Sequence, residues 1–368
     1  MIKNKERDYI KQQLSQNIPH IEGKKILIYG MGNTAKLYYE GFQRLEKEGF
    51  SIEGYCSSFS DNQNEKIFLD KKIYELKELI GRDDICVLIC TPNPNTIQSI
   101  VTTLDQYKIQ HYLVDETILK LHASEVLECY DMLEDEKSKS VYADIVLARM
   151  EGRYPLTETC EYGNAYFAID SFLSDNDQEV FVDCGAFVGD TVEKFIWNRD
   201  GLFKKIIAFE PDQKSFEAMK KRVNRLKEEW NLKEENFVLR QWGVADRTND
   251  IYFENYAQNN GLGNKFTTAD EGENIMKIKA VSIDETIKEP ITFLKADIES
   301  YEYKMLLGAE NRIKNDKPLL AICIYHNVMD LFQIPLLIKT MVAGYKMSVR
   351  HHLGKLAETV LYCWYDKE

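Results

Sequence analysis

The chain has little that would staple, anchor or disorder it. Its eight cysteines are scattered over 368 residues without a Cys-x-x-Cys pair, which argues against a disulfide framework and against a thiolate zinc site, so no metal site is expected. Cys86, Cys90, Cys184, Cys323 and Cys363 fall inside apolar runs, where a reduced thiol behaves as a small hydrophobe. No apolar run approaches the roughly 18 to 20 residues that a membrane-spanning helix needs. The opening Met1-Ile-Lys-Asn-Lys-Glu-Arg7 is too charged for a signal peptide, and a cytoplasmic protein without a membrane partner is expected. No basic patch stands out, and 47 Lys+Arg against 60 Asp+Glu leave a net charge of −13, which repels nucleic-acid backbones. Only 8 prolines and 19 glycines occur, so collagen-like and low-complexity classes are excluded. What remains is 44% hydrophobic and 29% charged, ordinary globular composition and enough chain for about two domains.

Apolar strands alternate with amphipathic helices in two stretches, the pattern of α/β architecture with mostly parallel sheets. In the first stretch, strands are expected at Lys25 to Tyr29, Ser51 to Cys56, Ile85 to Cys90 and His111 to Val114, with helices from Asn33 to Glu48 and Asn95 to Tyr107. Ser124 to about Met150 has helical periodicity, many charges and neither Gly nor Pro, and is read as a helical connector. The second stretch offers strands at Glu179 to Cys184, Ile206 to Phe209, Phe237 to Trp242, Ile291 to Ala296, Leu319 to Tyr325, Tyr345 to Arg350 and Thr359 to Tyr365. The expected organisation is a first domain over 1–122, a helical linker over 123–152 and a second domain over 153–368.

Val180-Phe-Val-Asp-Cys-Gly-Ala-Phe-Val-Gly-Asp-Thr191 places a buried strand, a turn with Gly185 and Gly189, and a helix opening at Asp190 and Thr191. Glycines let a backbone approach a ligand, and a helix N-terminus offers free N–H groups. The next strand ends in Ala208-Phe-Glu-Pro-Asp212, about twenty residues on, where an acid accepts both hydroxyls of an adenosine ribose. Asp183 and Asp190 make the loop acidic, which disfavours a pyrophosphate and favours a cofactor bearing an ammonium and a sulfonium. Phe293-Leu-Lys-Ala-Asp-Ile-Glu-Ser-Tyr-Glu302 delivers Asp297 and Glu299 to the same sheet edge, with Glu302 read as a helix-capping acid. His326 ends another strand and is the expected general base, while at most one of His351 and His352 can face the site. Asn260-Gly-Leu-Gly-Asn264 is a glycine-bearing insert that either covers an acceptor or forms a surface turn.

Over about Tyr166 to Tyr365 these motifs, with Leu307-Gly-Ala309 and the closing Glu358-Thr-Val-Leu-Tyr362, resemble the FkbM family of S-adenosylmethionine-dependent methyltransferases. The resemblance implies a class I methyltransferase fold, a seven-stranded, mostly parallel sheet with a late antiparallel hairpin. It implies S-adenosyl-L-methionine as cofactor, with Asp183, Gly185, Ala186 and Gly189 along its methionine portion and Asp190, Thr191 and Asp297 close by. Glu210 would bind the ribose beside Asp212, and Gln241 and Trp242 would flank the adenine. It also implies O-methylation, for which His326, Asp297 and Glu299, read from their places at strand ends around the crevice, are the expected catalytic residues. Ser300 departs from the glycine the family usually has after the acid. In the first stretch, Tyr29-Gly-Met-Gly-Asn-Thr-Ala35 is a dinucleotide-type fingerprint, but the next strand ends in Cys56 and Ser57 instead of an acid. That stretch resembles the Rossmann-like domains attached to sugar-modifying acyltransferases and epimerases, with Thr91-Pro-Asn-Pro-Asn95 lining any nucleotide. A carbohydrate or related small-molecule acceptor is therefore expected. The alternatives are an NAD(P)-dependent oxidoreductase and a non-catalytic cofactor-binding or scaffolding protein; assembly into homo-oligomers is left open.

Overall fold

Short runs of Ile, Leu and Val, buried on both faces, set the architecture of the protein. The computed structural model describes residues 3–16, 20–57, 67–172, 176–254, 265–267 and 275–366, so the Asn260–Asn264 insert lies outside the described residues. After helix α1 (Lys3–Ser15), the first sheet is built from β1 (Lys25–Tyr29), β2 (Ser51–Ser57), β3 (Ile67–Phe68), β4 (Lys71–Glu75), β5 (Ile85–Ile89) and β6 (His111–Leu113). Its order is β3-β4-β2-β1-β5-β6, parallel except for the β3–β4 pair. The single helix expected at Asn33 to Glu48 is two, α2 (Asn33–Leu37) and α3 (Tyr39–Lys47). Helix α4 (Pro94–Gln106) starts at Asn93, whose side chain accepts from the Asn95 and Thr96 amides. Proline at the first helical position completes a capping sequence, so the Thr91–Asn95 motif is accounted for by helix initiation.

The charge-rich middle forms α5 (Val114–Leu121), α6 (Ala123–Met132) and α7 (Glu136–Glu151). Asp135 caps α7 by accepting from the Ser138 amide, and Gly152, at φ +62°, ends it. α7 is buried along most of its length: Ile28 and Leu88 of the first sheet, Tyr142 and Ile145 of α7, and Ile322 and Leu361 beyond belong to one apolar cluster. The segment read as a linker is thus core between two sheets.

The second half contributes β7 (Val180–Cys184), α8 (Asp190–Asn198), β8 (Lys205–Phe209), α9 (Gln213–Trp230), β9 (Phe237–Arg240), β10 (Gly243–Val244), β11 (Asn249–Glu254), β12 (Lys265–Thr267), β13 (Ile275–Val281) and α10 (Ile283–Thr286). β14 (Phe293–Ala296), α11 (Glu302–Leu307), α12 (Glu310–Asp316), β15 (Leu319–Cys323), α13 (Asp330–Met341), β16 (Lys346–His351) and β17 (Thr359–Trp364) follow. A seven-stranded sheet has the order β16-β17-β15-β14-β7-β8-β9, with β17 antiparallel to both neighbours and the other pairs parallel. Its outer face packs on aromatic rings: Phe181 and Phe195 stack at 4.4 Å, and Phe172 and Phe293 meet edge-on at 5.2 Å. A separate four-stranded sheet, β10-β13-β11-β12, was not expected from the sequence. Strand order reverses at β7, between β14 and β8, and a crevice opens there at the strands' carboxyl ends. No helix among the described residues is long and apolar enough to cross a membrane.

Candidate active site

β7 and β14 run side by side and end so close that only glycine fits at position 185. Gly185 has φ +79°, and a Cβ there would lie 1.9 Å from the Asp297 carbonyl oxygen. The close approach that requires glycine is to the end of the neighbouring strand. Gly189, also at φ +79°, caps α8 and packs against Met219. Glu210, just beyond β8, turns back under this loop: its Oε2 accepts from the Phe187 amide and its Oε1 from the Asp212 amide, both at 2.8 Å. Burial pushes its carboxyl up to about 7 despite those two hydrogen bonds. A cavity of about 290 Å³ opens above these groups, close to the lower end of small-molecule sites. Trp242 forms part of its wall, with the Lys279 ammonium 4.0 Å from the ring centroid.

The end of the cavity beyond β14 is acidic. Asp297 accepts from the Tyr166 hydroxyl at 2.8 Å and from the Tyr325 hydroxyl at 3.2 Å. Burial would raise its carboxyl, but His326 and Lys295 overcome this and hold it below the ordinary value. Lys295 is buried; it pairs with Asp183 at 3.0 Å and donates to the Gly185 carbonyl at 2.7 Å. The chain after Asp297 is strained: Glu299 and Ser300 are consecutive left-handed residues, φ +54° and +76°. Glu302, the first residue of α11, is fully buried and accepts from the Ile298 amide at 2.7 Å. His326 sits behind this wall, with Nδ1 3.2 Å from Glu302 and Nε2 3.4 Å from Asp297 and 3.5 Å from Glu299. Burial alone would lower the ring; Glu302, Glu299 and Asp297 push it up instead, to about 10. Glu358 closes the cavity from the β16–β17 connection in a left-handed conformation, φ +62°. Burial and the nearby Asp297 raise its carboxyl.

Of the residues singled out in the sequence, Gly185, Asp190, Thr191, Glu210, Trp242, Asp297 and Glu299 line the cavity together. Others have local explanations. Asp183 is neutralised by Lys295, so the loop is less acidic than the sequence implied. Ala186 is fully buried, and Asp212 caps α9 by accepting from the Ser215 amide. Gln241 follows the end of β9 and is exposed to solvent. His351 bonds Thr359 at 2.9 Å, and His352 bridges the Glu161 carbonyl and the Tyr362 hydroxyl, both at 2.8 Å; these are packing roles near the end of β16. Tyr166 and Lys295 carry no functional expectation in the sequence, Tyr325 only that of a strand-end neighbour of His326, Glu358 only that of opening the closing motif, and Glu302 only that of a cap. Only Glu302 carried a local signal, the third acid in Asp297-x-Glu299-x-x-Glu302.

At the first sheet's fingerprint loop, Gly30 has φ +127°, and a Cβ there would meet the Cys90 carbonyl oxygen at 2.9 Å. The cavity beside Cys90 and Thr91 measures about 30 Å³, room for a water or two. Arg149 of α7 fills this region, donating to Asp115 at 2.9 Å, to the Tyr38 hydroxyl at 3.1 Å and to the Tyr325 carbonyl.

Residues 183–353 match the family model of the methyltransferase FkbM domain. The methyltransferase FkbM from Methylobacillus flagellatus KT is similar in structure over 98% of this chain and 99% of that chain, with a TM-score of 0.59 and 19% identity. Weaker likenesses include an rRNA methylase from Streptococcus thermophilus (16% identity, 52% of this chain and 89% of that chain, TM-score 0.32). An O-methyltransferase from Bacillus cereus is similar at 10% identity over 63% of this chain and 92% of that chain, with a TM-score of 0.34. No curated protein matches the chain.

Proposed function

Residues 183–353 belong to the FkbM methyltransferase family, and from that premise we propose that the protein transfers the methyl group of S-adenosyl-L-methionine to an oxygen of a carbohydrate or related small-molecule acceptor. Residues 153–368 would be the catalytic unit, and 1–122 an accessory unit joined through the helices of 123–152. The observation that carries the choice of cofactor is the charge of the cavity. Five carboxylates, Asp190, Glu210, Asp297, Glu299 and Glu358, line it against two ammonium groups, Lys194 and Lys295. That field suits a cofactor with an ammonium and a sulfonium and opposes a dinucleotide's pyrophosphate. Glu210 retains lone pairs beyond its two backbone hydrogen bonds and is placed to accept ribose hydroxyls. Trp242 offers a flat wall for adenine, and Asp297 and Glu299 supply the acidic end. When bound, S-adenosylmethionine supplies an electrophilic methyl whose transfer leaves a neutral thioether.

The chain's own work is to orient the acceptor, keep water out and take the hydroxyl proton. His326 is held as an imidazolium at neutral pH by the acids around it and has no free lone pair for that proton. Glu358 has the better properties. It lines the cavity, its carboxyl is raised, and its backbone is held in a strained conformation by the His352 amide, which donates to the Glu358 carbonyl at 2.9 Å. The role of base therefore moves from His326 to Glu358, with His326 keeping Asp297 and Glu299 ionised. Calorimetric titration with S-adenosylmethionine, S-adenosylhomocysteine, NADH and NADPH tests the cofactor. Saturable binding of the two adenosyl compounds alone is expected; binding of a nicotinamide dinucleotide alone would promote the oxidoreductase instead.

A further inference from the structure

Behind the acidic wall of the cavity, Asp297, Glu302 and His326 each offer a ligand atom, and these atoms lie within 4.8 Å of one another. They come from the end of β14, the start of α11 and the segment after β15, three elements that the sheet order places side by side. Ligand atoms around an ion at about 2.0–2.2 Å are about 3 Å apart when adjacent and about 4.3 Å apart when opposite. The observed separations, all within 4.8 Å, are close to that spacing, so the three side chains are already gathered around one point.

Two further observations separate this cluster from an ordinary ion pair. Glu302 is fully buried, and while its Oε1 takes the Ile298 amide, its Oε2 has no hydrogen-bond partner among the described residues. Both ring nitrogens of His326, itself 8% exposed, likewise lack a hydrogen bond of acceptable geometry. Buried polar atoms in native proteins are rarely left so. The charges are also unbalanced. Asp297, Glu299 and Glu302 surround one imidazole, and Lys295, whose charge also acts on Asp297, is engaged by Asp183. A divalent cation in place of a ring proton supplies the missing charge.

We propose that Asp297, Glu302 and His326 form a binding site for a first-row divalent cation. Two carboxylates with one imidazole suit Mn²⁺ better than Mg²⁺, which prefers all-oxygen shells. Asp297 also lines the cavity, so an ion held there stands where it can orient an acceptor oxygen. The binding claim rests on the side-chain geometry; only the ion's use in the reaction rests on the methyltransferase reading.

The test uses the full chain stripped with chelator, titrated with Mn²⁺ and followed by electron paramagnetic resonance, with S-adenosylhomocysteine binding measured in parallel. One saturable Mn²⁺ site is expected, with nitrogen modulation from one imidazole in the electron spin echo. Glu302→Gln and His326→Gln should each weaken Mn²⁺ binding by about a hundredfold, with S-adenosylhomocysteine binding by Glu302→Gln reporting that it is folded. The spin-echo signature of the unaltered chain decides the matter if the variants do not fold. Protein that binds S-adenosylhomocysteine but no Mn²⁺, or Mn²⁺ bound without imidazole modulation, overturns the site and leaves the methyltransferase reading intact. Mn²⁺ binding that depends on Glu302 and His326 in protein that ignores S-adenosylhomocysteine supports the site and removes that reading.

Discussion

At the scale of single residues, the chemistry is set by how far burial can push a carboxyl before a partner pulls it back. Glu210 has an ordinary value of 4.5 and is raised to about 7, chiefly by burial. An acid raised on folding stabilises the protein below about 4.5 and loses that contribution as pH climbs through 7, because the folded state then holds a buried charge. Ribose hydroxyls would stabilise that charge, so affinity for S-adenosylhomocysteine should rise about tenfold between pH 6 and 8. Glu210→Gln should flatten the profile and weaken binding by about 1.5–3 kcal/mol; calorimetry at several pH values reads both, and an unchanged profile would remove Glu210 from the site. Glu358 is raised in the same direction by burial and Asp297, and it lines the same cavity at its acidic end. Glu358→Gln should slow methyl transfer by roughly 10²–10⁴ while leaving S-adenosylhomocysteine affinity within about twofold, and equal turnover would return Glu358 to a lining role. Glu358 opens the closing Glu358–Tyr362 motif, but nothing local in the sequence gives it a chemical role. Its raised carboxyl arises from burial and from a neighbour distant in sequence, Asp297, just beyond β14.

At the scale of elements, legibility followed burial. β5 and β7 are buried at every position and were read close to their true ends, as were β8, β15 and β17. The sheet of β10 to β13 was not, because β11 and β13 are rich in Asn, Asp, Glu and Lys and pair antiparallel, leaving no continuous apolar run. The glycine-turn side of the cavity was legible because strand, glycine turn, helix and acid follow one another in the chain. The acidic end was less so, since Tyr166, Lys295, Tyr325 and His326 meet Asp297 only through the order of β7, β14 and β15. The loop between β14 and α11 shows what the sequence could and could not say. Ser300 stood out as a residue where glycine is usual, and its φ of +76° next to Glu299 at +54° gives the reason. Ser300→Gly should relieve left-handed strain of about 1–2 kcal/mol, partly offset by the unfolded-state entropy of glycine, for a net gain of about 0.5–1 kcal/mol. Denaturant midpoints with an unchanged m-value would register it, and a loss of stability would mean that the hydroxyl does more than occupy the turn.

At the scale of the whole molecule, the first sheet is tied to the active site through packed helices. α7 lies along β16, where Ser348 donates to Asp135 at 2.6 Å and the Val349 amide donates to Ser138 at 3.0 Å. At its other end Arg149 joins Tyr38 and Asp115 to the Tyr325 carbonyl, one residue before His326. Gly41 of α3 comes against Met329 and Asn327, in the same segment after β15, where a Cβ would find the Met329 sulfur at 3.3 Å. With one apolar cluster running from Ile28 to Leu361, opening the first sheet strips apolar contacts from the second and disturbs the buried Arg149–Asp115 pair, whose guanidinium also holds the Tyr325 carbonyl beside His326. The two sheets should therefore unfold as one cooperative unit. A ligand bound only at the second sheet should then protect the first. S-adenosylhomocysteine at 100 times its Kd stabilises the native state by about 2.7 kcal/mol, which slows exchange about a hundredfold for any amide that opens only by global unfolding. The amides of β5, far from the cavity in sequence, should slow as much as those of β7 when hydrogen exchange is followed by mass spectrometry. Protection confined to β7 and β14 would show instead that the first sheet opens independently, and the contacts of Arg149 would then be docking contacts that form and break without consequence for the site.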